Sequence, residues 1–221
     1  MTRFILVRHG ETQWNLQARI QGHGDSPLTE VGVAQADAIA RRLAAEPFDV
    51  LVSSDLGRAL ETAVRIAASS GHEVVADARF RERNFGCAEG WTYGELHERF
   101  PDAFARHLQD KDPDFRVPGA ESRRDFYVRI GAAFEALARE REGRCVAVVC
   151  HGGVLASLYR HIHAIAHAEI ASISIPNAGY NRVARDAAGW AIEAWADTAH
   201  LDEMAGESAP GSRGSIRARM S

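Results

Sequence analysis

The chain has 221 residues, 46% of them hydrophobic, 8% aromatic and 25% charged; that length can bury one sizeable core, and so average a composition excludes collagen-like, coiled-coil and wholly disordered chains. Lysine plus arginine number 26 and aspartate plus glutamate 30, a formal net charge of −4, which argues against bulk binding to nucleic acid or acidic lipid but leaves room for a local basic pocket. Cys87, Cys145 and Cys150 are too few and too irregularly spaced for a disulfide framework and suit a reducing compartment.

The chain opens with Arg3–Val7, a short β-rich run, too short for the apolar stretch of a signal peptide. No later segment approaches the roughly 18–20 apolar residues of a membrane span, so a cytoplasmic location is expected. Thr29 offers an N-cap to a helix over Val31–Ala45, in which Val33, Ala36, Ile39, Ala40 and Leu43 recur at helical spacing. Asp49–Ser53 reads as a second strand, Gly57–Ser69 as a helix with an apolar face of Leu60, Ala63, Val64 and Ala67, and Glu73–Ala76 as a third strand. Residues 82–92 read as loop, and Tyr93–Phe100 and Asp102–Gln109 as short helices split by Pro101.

Asp110–Gly119 is charged, proline-punctuated and loop-like, and Ser122 can cap a long helix running to about Glu142. Cys145–Cys150 is the strongest buried strand; Gly153–Ile165 is the next helix, and Ile170–Ile175, Asn181–Arg185 and Trp190–Ala196 are strand candidates. The alternation predicts an α/β fold, a three-layer sandwich whose mostly parallel sheet is flanked by helices and carries one antiparallel edge strand. Residues 1–202 are expected to form a single domain. Residues 203–221, rich in Gly, Ser, Pro and Arg, are expected to be a disordered C-terminal tail.

Two fragments stand where α/β folds keep their chemistry, just past the carboxyl ends of strands. Arg8-His9-Gly10-Glu11-Thr12 follows the first strand and His151-Gly152-Gly153 follows Cys145–Cys150. If both strands are central and parallel, His9 and His151 face each other across a crevice. Ser53–Arg58 adds Arg58 at the start of a helix, a natural anion site. Guanidinium forks match phosphoryl oxygens, and nearby positive charge keeps an imidazole neutral and nucleophilic. The set therefore points to phosphoryl transfer through a phosphohistidine, with Glu82, just past the third strand, as the proton donor to the leaving oxygen.

Arg8-His9-Gly10-Glu11-Thr12 with Trp14-Asn15, Ser53–Arg58 with Ala59 and Thr62, Glu82–Gly86 with Glu89-Gly90, and His151-Gly152-Gly153 together resemble the motifs of the histidine phosphatase superfamily, the phosphoglycerate mutase-like fold, in the expected order. The resemblance runs from about Arg3 to Trp195. It implies that His9 is the phosphorylated nucleophile and that Arg8, Arg58 and His151 bind and polarise the phosphoryl group, with Asn15 in contact. It implies further that Glu82 is first acid and then base, and that neither metal nor organic cofactor is needed. Gln21, Gly22 and Arg83 are expected near the substrate.

Three functions compete. The favoured one is a phosphatase of a small phosphorylated metabolite, because Glu89-Gly90 and Val117–Ser122 are similar to the phosphatase branch, although Ala120 stands where that branch usually has glycine. The alternative is a cofactor-dependent phosphoglycerate mutase, an isomerase primed by 2,3-bisphosphoglycerate. Glu82-Arg83-Asn84-Phe85-Gly86 is similar to its acid loop, but Phe85 replaces the expected tyrosine and no paired-arginine insertion is found in residues 92–118. The third is an inert phospholigand-binding protein, against which the full set of chemical residues argues. The expected partner is a small phosphorylated substrate, with no nucleic acid and no membrane; a homodimer stays open. His161, His163 and His167 lack the glutamate of a metal-binding H-E-x-x-H helix and read as a solvated or interface face, and Cys150 reads as core. Arg81, Arg83, His97, Arg106, His107 and Lys111 lie in the stretch expected to cover the pocket and leave open a second anionic group on the substrate.

Overall fold

The computed structural model describes residues 1–105, 112–166 and 173–202. Six strands form one sheet in the order β3-β2-β4-β1-β5-β6: β1 (Thr2–Arg8), β2 (Val50–Ser53), β3 (Val74–Ala76), β4 (Cys145–Cys150), β5 (Tyr180–Asp186) and β6 (Gly189–Asp197). β1, β2, β3 and β4 pair in parallel. β5 pairs antiparallel with both β1 and β6, so the antiparallel edge is a hairpin closed by the Gly189 turn.

The strands alternate their faces and so divide the core in two. Phe4, Leu6, Val146, Val148 and Cys150 pack beneath α6 (Arg123–Glu140) and α7 (Gly152–Ile162). Ile5, Val7, Leu51, Ala147 and Val149 pack beneath α2 (Glu30–Ala44) and α3 (Gly57–Ser70). Each fully buried side chain of this size contributes roughly 1.5–3 kcal/mol through apolar transfer. Two short helices, α4 (Tyr93–Arg99) and α5 (Pro101–Phe104), are separated at Pro101 as expected, and Leu96 of α4 joins Ile20 and Ala88 in a satellite cluster. A capping box between Thr12 and Asn15 adds α1 (Gln13–Leu16), a single turn too short to show in any apolar period.

Thr29 caps α2 through a bond from the Gly32 N–H, and Ser122 caps α6 through one from Asp125 N–H, both as predicted. α7 is shorter than its apolar run, ending at Ile162 where Ala164 adopts a φ of +52°. Residues 82–92 include a 3₁₀ turn at Gly86–Ala88. The strand expected over Ile170–Ile175 does not form in its described part. There the Ile175 carbonyl accepts from Arg8 Nη1 at 2.7 Å and the Ser174 carbonyl from Trp195 Nε1 at 3.1 Å, so the backbone is spoken for by side chains. Residues 170–172 of that segment, the end of the helix expected over Asp102–Gln109, Arg106, His107, Lys111, His167 and the tail over 203–221 lie outside the described residues.

Two glycines let the first strand end touch α2. A Cβ on Gly32 would stand 1.9 Å from the Glu11 carbonyl oxygen, and one on Gly10 would stand 2.3 Å from the Gly32 carbonyl oxygen. Neither contact is with a movable side chain. Gly32→Ala is expected to cost about 1–3 kcal/mol, as overpacking does, lowering Tm by several degrees and weakening activity with it; an unchanged melt would show that the loop after β1 can retreat.

Candidate active site

β1 and β4 run parallel with Arg8 opposite Cys150, so the next residue on each strand, His9 and His151, emerges at the same level. Their ring centroids are 5.3 Å apart and both rings are buried, at 3% and 0% exposure. The His9 Nδ1–H donates to the Gly10 carbonyl at 2.7 Å. A carbonyl can only accept, so the neutral ring carries its lone pair on Nε2, the nitrogen left to the cleft. The His9 main chain is pinned as well: its N–H donates to the Cys150 carbonyl at 3.0 Å, and the Asn177 side chain donates to its carbonyl at 2.9 Å.

Arg58 stands in the first turn of α3 and is 2% exposed. Its Nη1 and Nη2 donate to the carbonyls of Gly24 and Gly22 at 2.9 and 2.8 Å, and Asp25 lies 3.9 Å away. The Gly22-His23-Gly24 loop therefore presents carbonyls to a buried guanidinium. Gly22 adopts a φ of +55°, and a Cβ there would stand 2.2 Å from Glu89 Oε1, so only glycine fits. Arg8 donates through Nη1 to Ile175, while Nε of Arg8, Nε of Arg58 and Nδ1 of His151 are buried with no hydrogen-bond partner among the described residues. His151 Nε2 is bonded to the Ser54 hydroxyl at 2.8 Å. Buried donors without acceptors are costly to maintain, and these surround one imidazole.

Burial pushes the pKa of His9 well down, and the charges of Arg58 and Arg8 push it further, against a smaller upward pull from the Gly10 bond. Burial does the same to His151, helped by Arg58, His9 and Arg8. Burial also lowers Arg8 and Arg58, with Glu82 opposing it in both. Glu82 reaches the site from the segment after β3. Its Oε2 accepts from the Gly153 N–H and its Oε1 from the Arg83 N–H, each at 2.8 Å. A Cβ on Gly153 would stand 2.1 Å from that carboxylate, so the second glycine after His151 is what admits it.

Arg8, His9, Arg58 and Glu82 line one open cleft of about 680 Å³, and Asn15, Gln21, Gly22 and Arg83 line it too. The residues expected to carry the chemistry and to lie near the substrate are thus brought together, His151 lying against the His9 ring. Asn15 is partly committed: its Oδ1 accepts from Thr12 N–H and hydroxyl at 3.1 Å. Arg81 is turned away from the cleft into a pair with Asp55 at 2.5 Å. Sequence reasoning missed Ser54 as the His151 partner, and Arg123, Tyr93 and Tyr127, which line the outer cleft. Arg123 is the first residue of α6 and its only signal was the Ser122 cap before it. His161 pairs with Glu135 and His163 packs on Tyr159, consistent with a surface role, and Cys150 is core.

A family model of the histidine phosphatase superfamily (branch 1) matches residues 4–198. A metal-independent phosphoserine phosphatase from Arabidopsis thaliana is 39% identical over 207 residues, covering 92% of this chain and 85% of that one. A probable phosphoglycerate mutase GpmB from Cronobacter sakazakii is 38% identical over 210 residues, covering 93% and 97%. Among solved structures, a phosphoserine phosphatase mutant from Entamoeba histolytica in complex with phosphoserine superposes with a TM-score of 0.81 at 28% identity over 91% of this chain and 100% of that one. The phosphoserine phosphatase from the same organism in complex with 3-phosphoglyceric acid matches equally well, with a TM-score of 0.81.

The lowered histidines have a measurable consequence. In the unfolded chain each titrates near its ordinary value of about 6.5, whereas in the fold both stay neutral to lower pH. The unfolded state therefore binds more protons below about pH 6.5, and the stability tied to these groups, complete above that value, is lost as pH falls toward their lowered native pKa. Denaturant midpoints measured from about pH 7 to 5 should fall less steeply in His151→Gln than in the parent. Identical slopes would contradict a neutral buried pair.

Proposed function

The chain belongs to branch 1 of the histidine phosphatase superfamily, and we propose that it is a phosphomonoester hydrolase that works through a phosphohistidine on His9. The observation that carries this reading is the neutral, buried His9, its Nε2 free, beside the buried Nε donors of Arg8 and Arg58, which lack acceptors, and the His151 Nδ1, which is buried without a partner among the described residues.

In the reaction these residues support, the phosphoryl oxygens take the place of the missing acceptors. His9 Nε2 attacks phosphorus, a P–N bond forms, and the bond from phosphorus to the leaving oxygen breaks. The leaving oxygen takes the proton of the Glu82 carboxyl. Water then attacks the phosphohistidine and gives its proton to the Glu82 carboxylate; the P–N bond breaks and inorganic phosphate departs. Arg8 and Arg58 stabilise the charge that spreads over the equatorial oxygens, and being already buried and fixed they need little reorganisation to do so.

These fixed cations do what a divalent ion does in other phosphoryl-transfer sites, so we propose an enzyme with no metal and no organic cofactor, in keeping with the metal-independent relative. The free cysteines suit a cytoplasmic setting, and no described helix is long and apolar enough to cross a membrane.

The outer cleft narrows the substrate. Arg83 and Arg123 both line it and are 8% and 9% exposed, and burial lowers the pKa of Arg83, with Tyr93 opposing and Arg123 adding to the fall. Two guanidinium groups held near each other favour an anion between them. We propose that the substrate carries a carboxylate beside its phosphate ester, as phosphoserine and 3-phosphoglyceric acid do in the complexes of the Entamoeba protein. The same arginine pair favours one second reading, phosphoglycerate mutation primed by 2,3-bisphosphoglycerate, since that substrate is also a phosphorylated carboxylate.

One set of assays decides. Release of phosphate from phosphoserine, lost in His9→Ala and unaffected by EDTA, is the expected result; isomerisation of 3-phosphoglycerate faster than its hydrolysis would establish the mutase, and turnover of neither would leave only ligand binding. For the carboxylate, Arg123→Gln should raise KM about tenfold or more on phosphoserine, the loss of one charge-assisted bond, and change it little on 4-nitrophenyl phosphate. An equal rise on both would remove Arg123 from carboxylate recognition.

A further inference from the structure

Arg129, on α6, has no place in the cleft or in the chemistry above, yet it gives three bonds to the segment that carries Glu82 and two to Glu121. Its Nη1 donates to the carbonyls of Arg79 at 2.9 Å and Arg81 at 3.3 Å, and its Nη2 to the carbonyl of Glu82 at 3.3 Å. Nε and Nη2 also meet the two carboxylate oxygens of Glu121, each at 2.9 Å. Glu121 is tied back to the same segment through its main chain: its N–H donates to the Asn84 carbonyl at 2.9 Å, and its carbonyl accepts from Arg83 Nε at 3.0 Å. A second donor, His23 Nε2–H, reaches the Glu82 carbonyl from the other side at 2.9 Å.

Carbonyls in a non-strand segment must find donors elsewhere, and one planar fork supplies three of them while held bidentately by a carboxylate. The segment runs from the end of β3 through a 3₁₀ turn at Ala78–Phe80 to the one at Gly86–Ala88; Phe80 in the core and the Arg81–Asp55 pair anchor its first half, and at Glu82 itself the main-chain carbonyl is held by the Arg129 fork and the His23 bond. We propose that Arg129, oriented by Glu121, is a positioning residue for Glu82: it fixes the backbone from which the carboxyl reaches the leaving oxygen. The proposal rests on the reading of Glu82 as the acid.

The test is the dependence of kcat/KM on the leaving group, which reports the steps up to departure of the alcohol. Phenyl phosphate has a poor leaving group that needs the proton, and 2,4-dinitrophenyl phosphate a good one that does not. Arg129→Gln should lose about tenfold on phenyl phosphate and less than about twofold on the dinitrophenyl ester, as a displaced acid does. Glu82→Gln should show the same selective loss, larger, and the double variant should be no worse than Glu82→Gln alone. Glu121→Gln should repeat the pattern at smaller depth and supplies the reading if Arg129→Gln fails to fold. Selective loss in Glu82→Gln with uniform loss in both Arg129→Gln and Glu121→Gln, or multiplicative losses in the double variant, would overturn the positioning role alone. Uniform loss in Glu82→Gln would remove the acid assignment, and the positioning role with it.

Discussion

The chemistry of this cleft depends on the register of one strand pair. β1 and β4 lie in parallel with Arg8 against Cys150, and that register is set by packing rather than by the site. Phe4 and Leu6 belong to one layer of the core and Ile5 and Val7 to the other, so a one-residue slip would turn each apolar side chain to the wrong face. With the register held, His9 and His151 must leave the sheet together, at a height where the helices on both sides still exclude water. The neutral state of the rings follows from that depth and from the guanidinium groups beside them. A neutral imidazole at the mouth of β1 is thus a product of sheet geometry.

Burying Arg58 is the most demanding part of the arrangement, since a charge taken out of water is stabilised only by close partners. Its partners come from the chain between α1 and α2: the Gly22 and Gly24 carbonyls in direct contact, with Asp25 nearby and Glu82 and Glu89 acting at longer range. Glu89 also accepts from the N–H groups of His23 and Phe85, so one carboxylate joins the loop that holds the arginine to the loop that holds the acid. The overall charge of −4 and this positive hollow coexist because most other arginines described are matched on the surface, as Arg79 is by Asp77 and Glu140 and Arg81 by Asp55. Inside the hollow, the Nε of Arg8 and of Arg58 remain unmatched among the described residues.

Much of this was legible in the sequence because two periodicities carry it. The continuous apolar run Cys145–Cys150 was found to the residue, and the helices over 30–44 and 57–70 to within a residue or so, since their apolar faces repeat at helical spacing. Arg8, His9, Arg58 and His151 were legible because each stands at the end of a strand or the start of a helix, where the fold class itself puts chemistry; Glu82, sought by the same rule, stands farther out, past the 3₁₀ turn at Ala78–Phe80. Other features had no local signal. Ile173–Ile175 looks like a strand, yet long-range partners, Arg8 and Trp195, take its carbonyls. Arg123 and Tyr127 look like ordinary residues of a capped helix, and only the way α6 crosses the sheet brings them to the cleft. The service of Gly22 and Gly24 to Arg58 is likewise a contact across 34 and 36 residues, which no spacing rule announces.

The proposed nucleophile and the proposed acid reach the cleft by different routes, and this has a structural consequence. His9 is carried by the stiffest element of the molecule, a central strand paired on both sides. Glu82 is carried by a segment outside the sheet, and its side chain is located through the N–H of Gly153, on the helix that follows His151. The distance between nucleophile and acid is therefore referred back to β4 even though Glu82 is remote from it in sequence, and the bare Cα of Gly153 is the point of reference. From that point outward, Arg83, Phe85 and Tyr93 belong to excursions from the sheet that line the cleft, whereas Arg123 begins the helix packed on β1 and β4. Arg83 joins the two sides, since its N–H holds Glu82 Oε1 and its Nε the Glu121 carbonyl, so a change there shifts the carboxylate together with the cleft wall, while Phe85 and Tyr93 shape the wall at a distance from β1.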